Sequence, residues 1–150
     1  YQLKGFIGKT APKVRVNKAR KIMASIVKAI DSGYIKSCHD FSEGGLAVAA
    51  AEMAFSGEYG LGLHLKNVPK TGKMARNDFL LFSESNSRFL VEVPEKRRED
   101  FEALMEGNVY AAIGKVKKDC CLSVYGLNDE KVIDASIAEL RNRWKSGLGG

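Results

Sequence analysis

Apolar residues recur along the chain in distinct rhythms, and each rhythm predicts an element. After Asn17, read as an N-cap, Ile22, Met23, Ile26, Val27 and Ile30 return with helical spacing, and Gly33 supplies a left-handed stop. This predicts an amphipathic helix over residues 18–32. Residues 35–41 are short and β-compatible. They run into Ser42-Glu43-Gly44-Gly45, after which LAVAAAEMAF reads as a helix ending at Gly57. Its alanines at 47, 49, 50, 51 and 54 carry little bulk, so this helix can lie close against a sheet or another helix.

Further along, alternation places Leu61, Leu63 and Leu65 on one side of a strand over 61–66 and His64 on the other. A short helix is expected within 72–82, through Met74 and Phe79, and a strand over 88–93. Pro94 suits the first turn of a helix over about 94–105, with Phe101, Leu104 and Met105 as its buried stripe. Residues 109–116 and 120–125 read as two strands joined by a Lys117-Lys118-Asp119 turn. Ser136 and Glu139 have capping-box spacing for a last helix through Leu140 and Trp144. Residues 1–15, with two glycines, Pro12 and no helical period, read as a linker or edge strand from a preceding domain, leaving 16–150 as the folded unit. Mixed alternation with one hairpin predicts an α/β (α+β) fold, a three-layer α/β/α sandwich with a mixed sheet.

Composition narrows this further. A chain of 150 residues, 45% hydrophobic and 28% charged, has the balance of one globular domain. No apolar run approaches the roughly 18 residues that span a bilayer, and the first fifteen residues do not form a secretory signal. The chain begins with Tyr1 and not Met, which suggests a piece of something longer. Cys38, Cys120 and Cys121 form no disulfide framework, and with only His39 and His64 a zinc site is poorly supplied; the expectation is a reducing, cytoplasmic compartment. The net charge of +6 sits in residues 1–36, which hold nine Lys or Arg against Asp31 alone. Such a stretch suits nucleic acid, a nucleotide's phosphates, an acidic neighbouring domain, or simply a solvated helix face.

Two stretches carry candidate chemistry. In Cys38-His39-Asp40-Phe41-Ser42-Glu43-Gly44-Gly45-Leu46, acidic and hydroxyl residues end a strand and two glycines open a helix. Asp40, Ser42, Gly44 and Gly45 are therefore candidates for a cofactor's phosphate, which backbone N–H groups and the helix dipole favour. The alternative is a plain N-cap by Ser42, and Asp40 and Glu43 oppose an anion unless a metal or base intervenes. The second stretch, Ser83-Glu84-Ser85-Asn86-Ser87-Arg88, suits a ribose or amide through Glu84, Ser85 and Asn86, with Arg88 near a phosphate, or else is a solvated loop. His39 and Asp40, as strand neighbours, point apart and make no dyad by adjacency, so His39 is read as structural. No nucleophile elbow, phosphate-binding loop or activated cysteine occurs, so no catalytic residue and no metal ligand is assigned.

The run HDFSEGGLAVAAAEMAFSGEYG, then LFSESNSRFLVEV, then IGKV and a closing SIAELRNRWKSGL, resembles the C-terminal domain of the aminoimidazole ribonucleotide synthetase superfamily over about residues 10–147. Within it, the chain is most similar to the last such domain of the phosphoribosylformylglycinamidine synthases, the large subunit called synthase II. Hydrogenase-maturation and selenophosphate-synthesising relatives resemble it less before the double glycine. The resemblance implies purine biosynthesis: ATP-dependent amidation of formylglycinamide ribonucleotide by glutamine-derived ammonia, a C–N ligase reaction.

It also implies ATP and Mg2+ as cofactors of the parent enzyme, held mainly by N-terminal-type domains absent here, so the piece alone is not expected to catalyse. The implied partners are those preceding ATP-binding domains, a glutamine amidotransferase subunit and a small accessory subunit, with no nucleic acid and no membrane. Ser83, Glu84, Ser85, Asn86 and Arg88 fall on the family's substrate-contacting loop. Asn86 stands where that loop has Gln and the closing helix reads as a chain end, which points to the second of two tandem copies. Two rivals remain: the cyclising aminoimidazole ribonucleotide synthetase, and a non-catalytic structural or RNA-holding module, for which no aromatic platform lies beside the basic residues.

Overall fold

The computed structural model describes residues 12–147, so the first eleven residues of the expected linker lie outside it. The first helix, α1 (Val16–Asp31), begins after Arg15, whose carbonyl accepts the Ala19 N–H at 2.9 Å. Asn17 thus lies inside the helix instead of capping it. Gly33 does end it, at φ +68°, with the Tyr34 N–H returning to the Ala29 carbonyl at 2.9 Å. The buried edge of α1 is Ala19, Ile26 and Ala29, whereas Met23, Val27 and Ile30 are about half exposed. The stripe drawn from the sequence is displaced because α1 packs along one narrow line, against Phe101 and Met105.

Strand β1 (Ser37–Asp40) pairs antiparallel with β3 (Phe89–Glu92), from Ser37 opposite Glu92 to Asp40 opposite Phe89. Between them in sequence come α2 (Gly45–Gly57), β2 (Gly60–His64), a 3-10 turn at Leu65–Asn67 and α3 (Asn77–Phe82). A 3-10 turn at Glu95–Arg97 leads into α4 (Arg98–Leu104); Pro94 precedes that turn in extended conformation. The chain closes with β4 (Gly114–Lys117), β5 (Cys121–Tyr125), β6 (Lys131–Ser136) and α5 (Ile137–Gly147).

Successive residues of a strand face opposite ways, and on β3 Leu90 packs into the cluster around Leu46, Leu63 and Val124, while Val91 packs against Ala29, Phe101 and Met105. Helices therefore flank the β1–β3 ladder on both sides, α1 with α4 on one and α2 on the other, as the expected α/β/α layering requires. The strands, however, form two sheets. The second is mixed, in the order β4-β2-β5-β6, with β2 antiparallel to β4 and parallel to β5, and β5 antiparallel to β6.

This order corrects the expected hairpin. β4 and β5 are neighbours in sequence, but β2 lies between them, because Leu61 and Leu63 then share one buried face with Leu122 and Val124. The hairpin is instead β5 to β6, a strand the sequence did not announce, turned through Gly126–Glu130 with Asp129 at φ +62°. Of the expected strand 109–116, only the part from Gly114 pairs. Residues 109–113 line an open groove of about 1410 Å3 between β3 and β4. On the outward face of the mixed sheet, Ser123 is buried beneath polar neighbours: its hydroxyl donates to Asp134 at 3.1 Å, and Lys131 holds the same carboxylate at 3.0 Å.

Candidate functional site

The register of the β1–β3 ladder brings the two chemical stretches together. Asp40 ends β1 opposite Phe89 at the start of β3, so the turn 41–44 and the loop 83–88 leave the same end of the ladder. Their contact is direct: the Gly44 N–H donates to Glu84 Oε1 at 2.8 Å. Gly44 and Gly45 take φ of +76° and +63°, a left-handed turn that favours glycine. A Cβ on Gly45 would lie 2.7 Å from the Ser83 carbonyl and 2.8 Å from that of Leu81. Glycine at 45 is thus required twice, by dihedral and by the close approach of α2 to the end of α3.

Arg88 locks the loop from its other end. Its guanidinium lies 4.7 Å from the centre of the Phe41 ring and donates through Nε to the Ser85 carbonyl at 3.2 Å and through a terminal nitrogen to the Ser83 carbonyl. Burial pushes its pKa below the ordinary arginine value. The Phe41 N–H returns to the Arg88 carbonyl at 3.0 Å, and the Ser83 and Ser85 hydroxyls hydrogen-bond each other at 2.9 Å. Ser87 adopts φ +62° to turn the loop into β3. Asp40, Ser42, Glu43, Ser85 and Asn86 are exposed around this junction.

Ser42 does not cap α2; Gly44 occupies the cap position, and no side chain of its own turn closes the helix. A nucleotide phosphate reaching the turn would meet groups already engaged and like charge. The Gly44 N–H already holds a carboxylate, Arg88 is turned inward to carbonyls, and Asp40 and Glu43 add negative charge.

Beside this junction, the sequence did not reveal Glu52. It is the lone acid in the alanine-rich α2, and its carboxylate meets His39 Nε2 at 2.8 Å and accepts the Trp144 indole N–H at 2.9 Å. His39 Nδ1 lies 2.7 Å from the Asp40 carbonyl oxygen, whereas the Asp40 carboxylate is 3.8 Å away, so His39 joins β1 to α2 and forms no dyad with Asp40. Nearby, burial pushes the Cys38 thiol above its ordinary pKa, and the Asp40 charge adds to the effect. Among the described residues no helix is long and apolar enough to cross a membrane.

Comparison with known proteins gives a consistent picture. The family model described as AIR synthase related protein, C-terminal domain, matches residues 3–126. Phosphoribosylformylglycinamidine synthase subunit PurL of Thermococcus sibiricus is 32% identical over 146 residues, covering 97% of this chain but 20% of the relative. Solved structures of Thermotoga maritima PurL superpose on 81% of the chain: one described as complexed with FGAR, at TM-score 0.73 and 19% identity, and one as complexed with ATP, at 0.72 and 18%, covering 20% and 21% of those chains. A third, described as PurLQS, gives 0.73 at 18% identity over the same share of this chain and 21% of its own. At those identities the superpositions speak for the fold alone. The chain spans about a fifth of the length of the curated relative it matches.

Proposed function

The chain belongs to the AIR synthase related protein family, as its C-terminal domain, and from that premise we propose that it is the C-terminal domain of a phosphoribosylformylglycinamidine synthase. The observation that carries this reading is the 32% identity spread over 97% of the chain to a PurL subunit, with both signature stretches inside it. The whole protein then catalyses ATP-dependent amidation of formylglycinamide ribonucleotide. ATP phosphorylates the amide oxygen, ammonia displaces the phosphate, and the products are formylglycinamidine ribonucleotide, ADP and phosphate. Magnesium supplies charge neutralisation for the phosphoryl transfer when bound.

In this reading ATP and magnesium are held by the N-terminal-type domains of the same polypeptide. A glutamine amidotransferase subunit delivers the ammonia and a small accessory subunit completes the assembly, in a cytoplasmic enzyme. The chain described here contributes one wall of an interdomain cleft, built from the 40–45 turn and the 83–88 loop. Ser83, Ser85 and Asn86 are the groups of that wall able to offer hydroxyls and an amide to substrate.

The test is an assay of the full-length protein that contains this chain, with formylglycinamide ribonucleotide, ATP, magnesium and ammonia. The expected result is release of ADP coupled to formylglycinamidine ribonucleotide. Consumption of formylglycinamidine ribonucleotide with ring closure, and no amidation, would assign the chain to the cyclising aminoimidazole ribonucleotide synthetase instead.

A further inference from the structure

We infer that the outward face of α1 is an interface, and that its occupant is an acidic helical surface in the part of the same polypeptide that lies outside this chain. The choice of occupant rests on the reading of the chain as one domain of a synthase; the open face does not.

Two apolar seams run along α1. Ala19, Ile22, Ile26 and Ala29 face this domain, where Ile22 and Ala29 pack with Phe101 and Met105. Val16, Met23, Val27 and Ile30 are instead 47–61% exposed and belong to none of the apolar clusters. With Arg20 they recur in steps of four, three, four and three, the heptad spacing of a helix that packs lengthwise against another. At 3.6 residues per turn all five fall within about 80° of the helix circumference, so they form one continuous row. Large apolar side chains gathered in such a row mark a contact surface, whereas single exposed ones do not.

Arg20 fixes the chemistry of the occupant. It stands within the row, and among the described residues no carboxylate pairs with it. A purely apolar surface closing over the row would bury the guanidinium unpaired, so the occupant brings a carboxylate to it. Residues 1–11 cannot supply one, since they hold Lys4 and Lys9 and no acid. A second copy is disfavoured by like charge, because α1 carries Lys18, Arg20, Lys21 and Lys28 against Asp31 alone. The rest of the polypeptide remains. This chain covers 20% of a relative that matches it over 97% of its own length, and the part beyond it is tethered to α1 at high effective concentration.

Thiol labelling of the full-length protein that contains this chain, prepared without other subunits and read by peptide mass spectrometry, tests this. M23C and V27C report on the row, and K28C, exposed on the same helix but off the row, is the reference. The thiols of M23C and V27C are expected to react about tenfold slower than that of K28C in the folded protein, and equally fast in urea. Adding R20E to M23C sets an acid against the occupant's acid and brings its labelling towards the K28C rate, while R20K leaves it slow. Labelling of both row thiols as fast as K28C would overturn the interface, and slow labelling that persists with R20E would overturn the acidic occupant. Protection lost on dilution would assign the face to a second copy, and protection gained only on adding another subunit would assign it to that subunit; either result overturns the inference. None of these readouts uses the synthase reaction, so failure of the amidation assay leaves them standing.

Discussion

The Glu52 carboxylate accepts the indole N–H of Trp144 at 2.9 Å, a bond that ties the last helix of the chain to α2. The same carboxylate faces His39 Nε2 at 2.8 Å, and the Trp144 ring lies 5.7 Å from that of Phe55. E52A removes the acceptor for both groups, and because they are partly open to water the expected cost is about 0.5–1 kcal/mol of stability. Trp144 is the only tryptophan in the chain, so its fluorescence reads the contact directly. The emission of E52A shifts to the red at temperatures where the fold persists. Unchanged emission together with an unchanged urea midpoint would show that α5 is held without Glu52.

Two glycines at nearly the same dihedral separate backbone cost from crowding. Gly33 has φ +68° with nothing within 4 Å of a Cβ placed there, while Gly45, at +63°, would bring its Cβ against two carbonyl oxygens. G33A is expected to cost about 1 kcal/mol, the left-handed penalty alone. G45A is expected to cost about 2 kcal/mol or more beyond that, since the α2–α3 contact must open as well. Denaturant unfolding of both variants checks this, and equal costs would mean that α2 does not approach α3 as closely as described.

Acid weakens the sheet's polar face and the α3 junction. Asp134, hydrogen-bonded by Lys131 and Ser123, and Asp119, hydrogen-bonded by Lys117, are held below the ordinary aspartate value of 3.8. Asp78 is lowered by Arg76, and Glu130, below its ordinary 4.5, chiefly by Asn77. A carboxylate lowered in the folded state binds fewer protons than the unfolded chain does. Its contribution is therefore complete above the ordinary values and is lost as the pH falls through the lowered ones. Urea midpoints are expected to hold from pH 7 to about pH 5 and to fall below about pH 4. D134N should shallow that fall, and an identical profile would remove Asp134 from the account.

Local signals in the sequence were legible and long-range ones were not. Gly33 marked the end of α1, and the double glycine marked the entry to α2, because a left-handed dihedral restricts the choice of residue wherever it occurs. The buried edge of α1 was misplaced since Ala19 and Ala29 pack more closely than the bulkier Met23 and Val27, which periodicity weights more heavily. The strand order escaped for a different reason: nothing local to β4 and β5 says that β2 belongs between them.

The candidate site divides along the same line. Each of its two stretches was visible from composition, but the partners that join them, Gly44 for Glu84 and the carbonyls of Ser83 and Ser85 for Arg88, were not. Glu52 passed unnoticed because its two partners come from β1 and from the far end of the chain.

The position of β2 at the centre of the mixed sheet sets an order of assembly. Both of its neighbours are made later, with Leu61 pairing with Val116 on one side and Leu122 on the other, so on emergence from a ribosome β2 has no strand to join. The β1–β3 ladder closes first, once residues 89–92 are available, and it gathers α2 beside it. The β2–β5 pairing waits for the chain to reach Tyr125, so the mixed sheet is completed only after the residues of the ladder are all available. Truncation before β5 would leave β2 paired with β4 alone and its other edge open, a species inclined to aggregate before it can finish.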